Sequence, residues 1–232
     1  MKLPLRLCCK SIYNIIFRPI RLPLRPKYSF VKIRVIRVMI LPIVAYGNPV
    51  LRKMSHDIDE AYPNLDKLIE DMWETMYASN GVGLAAPQVG RDIRVFVMDS
   101  AQIFANMDEQ DREEENYPDA PGIKQVFINA HIVEEHGDDW AYNEGCLSIP
   151  KIREDIYRAE EVTLEYMDEN FQQHTKTFNG ITGRIILHEY DHIDGKLFID
   201  YLSPLKRKLL KRKLDDISKG NVKVDYKMSF PK

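Results

Sequence analysis

His188 and His192 stand four residues apart in the run His188-Glu189-Tyr190-Asp191-His192. On a helix, positions four apart share a face, so both imidazoles can point at one metal ion. Glu189 lies beside them, placed to carry a proton without acting as a ligand. This is the H-E-x-x-H pattern of metal-dependent hydrolases. Alone it implies a metal and no more; it needs a third ligand and a group that binds an oxyanion.

Cys146 is the candidate third ligand. A lone Cys in a reducing compartment is in general a small buried hydrophobe, but this one sits between Gly145 and Leu147 in a chain that already holds the histidine pair. One thiolate and two imidazoles leave a fourth position for water. A cation there lowers the pKa of that water towards ~7 and polarises a substrate carbonyl, and the thiolate suits a soft or borderline divalent ion. Glu189 is then the general base that takes the water proton and delivers it to a leaving amine. Gln88 closes the glycine-rich stretch 81–88; its amide can donate to a developing oxyanion, as can the backbone N–H of Leu147. Taken singly, Gln88 reads as a loop-surface residue. Gly81 and Gly83 let main chain run against a ligand, as a turn or as a peptide-binding edge.

These groups need elements to hold them. Apolar residues Ile181, Ile185 and Leu187 predict a helix over 180–192 that carries the histidines, with Gly195 as its C-terminal cap. Leu65, Leu68, Ile69, Met72 and Met76 predict a core-packing helix over 65–79, capped by Asn64. Strands are expected at 93–98, 125–128 and 162–167, the last with 171–178 as hairpin partner turning at Asp168-Glu169-Asn170. Residues 144–150 end an extended region. The acidic stretch 101–122 reads as a solvated surface loop. A basic amphipathic helix spans 204–219, with Leu205, Leu209, Leu210, Leu214 and Ile217 on its apolar side. The expected fold class is α+β: mixed or antiparallel sheets packed around a central helix carrying the metal motif.

Composition bounds the rest. The 232 residues suffice for one domain with a sizeable core. Residues 1–38 hold ten of the 33 Lys and Arg and no acid, leaving 23 basic residues against 35 acidic ones in the remainder. That balance disfavours nucleic-acid specificity. Three Cys, two of them vicinal at 8 and 9, offer no disulfide framework, which suits a reducing compartment. No apolar run approaches the ~20 residues of a membrane helix. Residues 1–38 read as a basic N-terminal extension, with Pro4, Pro19, Pro23 and Pro26 breaking any long helix. Three origins remain open: a start placed too early, with Met39 as the true one; an organellar transit peptide; or a basic arm. The body is expected at 39–220 and a C-terminal tail at 221–232.

The segments G-V-G-L-A-A-P-Q (81–88), E-G-C-L-S (144–148) and H-E-Y-D-H (188–192), in this order, together with G-K-L-F-I-D-Y-L-S (195–203), resemble the motifs of peptide deformylase over residues 39–220. The resemblance implies removal of the formyl group from the N-formylmethionine of newly synthesised proteins, with release of formate. It implies Cys146, His188 and His192 as ligands of one divalent metal, Fe2+ foremost with Zn2+, Ni2+ or Co2+ as substitutes. Glu189 becomes the acid/base, and Gln88 with the Leu147 N–H holds the formyl oxygen. Val82, Gly83 and Gly145 pair with the substrate backbone. Arg184 and Ile185 line the methionine pocket, Arg153 meets the peptide further along, and Asp191 and Arg158 support the ligands from behind. Expected partners are N-formylmethionyl nascent peptides and, through the basic helix after Pro204, the ribosome; no membrane is expected. The expected place is the bacterial cytoplasm, or an organelle if residues 1–38 are a transit peptide. Two other classes stay open on the residues. A zinc endopeptidase takes its third ligand downstream of the helix as His or Glu, whereas Cys146 lies upstream. A non-catalytic binding module has no use for Glu189 and Gln88.

Overall fold

The structure is a computed structural model that describes residues 38–107 and 121–231. The extension 1–37 and most of the acidic stretch, 108–120, lie outside the described residues, so the expectations for them are not met or refused there.

A short strand β1 (Ile43–Val44) leads through a 3-10 turn at Pro49–Arg52 to helix α1 (Leu65–Ala78). Strand β2 (Gly83–Ala85), a 3-10 turn at Ala86–Val89 and strand β3 (Val95–Asp99) follow, then a short helix α2 (Ala101–Asn106). Strands β4 (Lys124–His136), β5 (Trp140–Cys146), β6 (Ile149–Arg158), β7 (Glu161–Met167) and β8 (Gln173–Asn179) lead into helix α3 (Gly180–Ile193). A 3-10 turn at Phe198–Tyr201, helix α4 (Pro204–Ser218) and strand β9 (Met228–Ser229) complete the described chain.

A five-stranded sheet runs in the order β2-β3-β4-β7-β8, all pairs antiparallel. β5 and β6 form a separate antiparallel hairpin, and β1 pairs in parallel with β9. Helix α3 explains the arrangement. Its residues Ile181, Ile185, Ile186, Leu187 and Ile193 are buried, and so are Arg184, Glu189, Asp191 and His192. A helix buried on nearly every face must lie inside, and this one packs against β2, β3, β7 and β8 among Phe96, Phe127, Leu164 and Tyr166. The expected α+β class, with sheets packed around a central helix that carries the H-E-x-x-H motif, is the fold observed.

Several local expectations change. Asn64 does not cap α1 with its side chain: it sits in the left-handed region at φ 56°, and its carbonyl accepts the Leu68 N–H instead. The stretch from 101 begins as helix α2 rather than loop, because Phe104 buries itself in the core beside Phe127. β4 runs to His136, well past the expected end at 128. On α4, Leu210, Leu214 and Ile217 are buried, whereas Leu205 and Leu209 are 68% and 73% exposed. Residues 205 and 209 share a stripe four apart that turns away from the 210–214–217 stripe. Residues 221–231 do not hang free as a tail. Val222, Met228 and Phe230 pack beside Ile149 and Leu214, and the Ile43 and Ala45 N–H groups donate to Lys227 and Ser229 carbonyls.

Candidate metal centre

The β5–β6 hairpin and helix α3 bring the three candidate ligands together. Cys146 is the last residue of β5, where register breaks between Gly145 and Cys146 as the chain turns through Leu147 and Ser148. His188 and His192 lie one turn apart on α3, with ring centroids 5.2 Å apart. Ligand atoms of Cys146, His188 and His192 all fall within 4.8 Å of one another, and Cys146 Sγ is 3.2 Å from His192 Nε2.

The surroundings of this triangle fit a cation. His188 Nδ1 lies 2.8 Å from the Glu144 carboxylate. A carboxylate partner fixes the hydrogen on Nδ1 and leaves the Nε2 lone pair for a ligand bond. Burial opposes charge on His188, but hydrogen bonding and attraction from Cys146 and Glu144 override it and raise its pKa well above the ordinary value. A site that draws a proton so strongly welcomes a metal ion in its place. Burial, then the neighbouring His188 and Arg158 charges, holds His192 neutral, the form a ligand needs.

Glu144 was absent from the sequence-based ligand and pocket assignments, although the signal was available. It lies two residues before Cys146 on one strand, so both side chains leave the same face. Glu144 accepts from Arg158 Nε at 2.8 Å and Nη2 at 3.1 Å, and from Arg184 Nη1 at 3.3 Å. Arg158 Nη1 also donates to Asp191 Oδ2 at 2.6 Å, and Tyr201 donates to Asp191 Oδ1 at 3.0 Å. Burial would raise the Glu144 carboxyl, but hydrogen bonds from His188 and Arg158 overcome that and hold it well below the usual range. The arginine and aspartate expected behind the candidate ligands thus pair directly, and Glu144, which the motif roles leave out, joins Arg158 to His188.

Glu189 points into the same space. Burial pushes its carboxyl up to about 7, and its Oε2 has no hydrogen-bond partner among the described residues. A buried, unpartnered carboxylate near neutrality is poised to exchange a proton. Gly83 makes room for it: a Cβ there would come within 2.7 Å of Glu189 Cδ. Gln88 is 1% exposed, against its bland reading as a surface residue. Its Oε1 accepts the Ala85 N–H at 2.8 Å, so the amide NH2 turns the other way, 3.4 Å from Cys146 Sγ and 3.4 Å from Ser148 Oγ.

A cavity of about 640 Å³ opens over these groups, lined by Val82, Gly83, Gln88, Gly145, Cys146, Leu147, Arg153, Arg184, Ile185, His188 and Glu189. His192 lies behind it, within ligand distance. Arg184 lines the wall with its guanidinium turned away: it donates to the Trp140 carbonyl at 2.6 Å and lies 4.4 Å from the Trp140 ring centroid. Arg153 sits opposite Gly145 in the β5–β6 register and donates to Asn143. Tyr142, which the motifs did not single out, adds an aromatic wall. The described residues contain no helix long and apolar enough to cross a membrane.

Residues 40–208 match the sequence model of the family described as Polypeptide deformylase. A peptide deformylase of Christiangramia forsetii is 54% identical over 193 residues, which is 83% of this chain and 97% of that one. One from Flavobacterium johnsoniae is 51% identical over 83% of this chain and 96% of its own. The crystal structure of a Legionella pneumophila peptide deformylase superposes with a TM-score of 0.64 at 36% identity, over 79% of this chain and 98% of the other. That of the Ehrlichia chaffeensis enzyme gives 0.68 at 30% identity, over 79% and 99%. The chain therefore belongs to the polypeptide deformylase family, metal-dependent hydrolases that remove the formyl group from the N-terminal N-formylmethionine of newly synthesised proteins.

Proposed function

We propose that Cys146, His188 and His192 hold the metal of this deformylase, and that the metal is Fe2+, with Zn2+, Ni2+ and Co2+ as working substitutes. The observation that carries the assignment is the approach of those three ligand atoms to within 4.8 Å, beside an unpartnered Glu189 carboxylate. One thiolate with two imidazoles is a borderline-soft donor set that accepts all four ions. When bound, the cation polarises the formyl carbonyl and makes water nucleophilic near neutral pH.

The chain's own groups supply the remaining chemistry. Glu189 takes a proton from the attacking water and passes it to the departing amine nitrogen, so formate and a free N-terminus are released. The Gln88 amide and the Leu147 N–H donate to the formyl oxygen as charge collects on it. β2 is the end strand of its sheet, so an extended peptide can align along Val82 and Gly83 on one side and Gly145 on the other. Ile185 lines the space for the methionine side chain with Tyr142. Arg184 contributes its aliphatic stem there, its charge being spent on Glu144 and Trp140. Arg153, held over Gly145 by Asn143, meets the peptide further along.

The cytoplasm suits a site built on a free thiolate. Helix α4 is the proposed ribosome contact: Lys208 and Lys213 make no ion pair among the described residues, and Leu205 and Leu209 lie exposed among the basic residues. Lys206 and Lys211 are engaged with Glu154 and Asp215. Charge reversal at Lys206, Lys208, Lys211 and Lys213 should weaken ribosome pelleting, and unchanged pelleting rejects the contact. The central test is anaerobic purification with metal analysis and a formate-release assay on one sample, with Glu189→Ala as control. Metal-loaded protein with Cys146→Ala, His188→Ala and His192→Ala still at full occupancy would overturn the ligand assignment.

A further inference from the structure

The segment after helix α4 forms part of the cavity wall. Lys223, Val224, Asp225 and Tyr226 line the same space as Gly83, Cys146 and Glu189. The segment is fixed at both ends. Tyr226 donates its hydroxyl to the Leu147 carbonyl at 2.8 Å, one residue from Cys146, and Val222 packs into the cluster around Ile149 and Leu214. Beyond Tyr226 the chain is tied to β1 by the β1–β9 pairing. Between these anchors the residues alternate: Val222, Val224 and Tyr226 are half-buried, whereas Lys223 and Asp225 are exposed. Neither Lys223 nor Asp225 has an ion-pair or side-chain hydrogen-bond partner among the described residues. Two unpaired charges of opposite sign therefore stand on the wall of a peptide-binding cavity.

We propose that this segment reads the residues of the substrate that follow formyl-methionine, with Lys223 favouring acidic and Asp225 favouring basic side chains. The inference rests on the site assignment above. Tyr226 is anchored beside Leu147, and three residues of extended chain reach at most roughly 10 Å. Lys223 and Asp225 thus lie within the span of the first few residues of an extended substrate aligned on β2. The charges are exposed, so each interaction is modest and screened by salt.

The test compares kcat/KM for formyl-Met-Ala-Glu and formyl-Met-Ala-Lys, each relative to formyl-Met-Ala-Ser, on full-length metal-loaded protein. Lys223→Glu should move the Glu-to-Lys preference about three- to tenfold towards the Lys peptide, through KM rather than kcat. Asp225→Lys should move it the opposite way by a similar factor, and both shifts should shrink at high salt. A merely structural role changes both peptides by the same factor. Preference ratios that stay within twofold of wild type in both variants, with formate still released, overturn the proposal. Wild-type protein that releases no formate from any formyl peptide overturns the underlying site assignment, and the proposal with it.

Discussion

The Glu144 carboxylate grips His188 Nδ1 at 2.8 Å while two buried arginines grip Glu144. The hairpin that carries the Cys146 sulfur and the helix that carries the imidazoles are thereby joined by one charged cluster beside the proposed metal site. Replacing Glu144 with Gln removes the charge that orients His188 and balances Arg158. Metal affinity should fall about 10- to 100-fold, measured by chelator competition. Unfolding free energy should fall by about 3 kcal/mol, since two guanidinium groups lose their buried counter-charge.

The same carboxylate makes that difference depend on pH. Its folded pKa lies below the ordinary value of 4.5, so its stabilisation is complete above that value and is lost as pH falls towards the folded pKa. The stability gap between wild type and Glu144→Gln should narrow steadily as pH falls below about 4.5. Denaturant titrations of metal-free protein at several pH values measure it. A gap that widens on acidification would contradict the geometry.

Gln88→Ala removes the proposed amide donor to the formyl oxygen and leaves Cys146, His188 and His192 in place. kcat should fall about 10²- to 10³-fold with metal content unchanged. Steady-state kinetics beside metal analysis separates this from loss of the ion.

Gly83→Ala tests close approach rather than backbone freedom, because the added methyl meets Glu189. Displaced Glu189 should cost at least tenfold in kcat, while metal content and the circular dichroism spectrum stay as in wild type. Full activity in this variant would mean that Glu189 can work from another position.

Protein that begins at Met39 should keep its kcat/KM and its metal content. The Met39 N–H meets Asp71 Oδ1 at 2.7 Å and the Leu41 N–H meets Thr75 Oγ1 at 2.8 Å, so the chain is tied to α1 at these residues. A large loss of kcat/KM in this truncation would assign residues 1–38 a part in catalysis.

How much of this was legible beforehand depends on the range of each signal. The histidine pair and Glu189 are local, set by one helical turn, and the sequence displays them directly. The meeting of Cys146 with that helix follows from no local rule; motif order in a family supplied it, and the hairpin geometry shows it. Glu144 is within reach of strand alternation, but its partners Arg158 and Arg184 are distant in sequence, so no local pattern marks its role. The segment after α4 also carried a signal, the alternation of Val222, Val224, Tyr226, Met228 and Phe230. Nothing local shows what such a short alternating stretch packs against, so the sequence alone displays only a tail. The exposed Leu205 and Leu209 belong to the opposite case: helical spacing groups them with the apolar side of α4, and only the orientation of that helix leaves them exposed.

The β1–β9 pairing joins residues from opposite ends of the described chain. During synthesis, then, the front strand waits for its mate until nearly all of the described polypeptide has left the ribosome. The cleft wall carried by Lys223, Val224, Asp225 and Tyr226 is therefore the last part of the cavity to be put in place, so a copy still being made has no finished cleft.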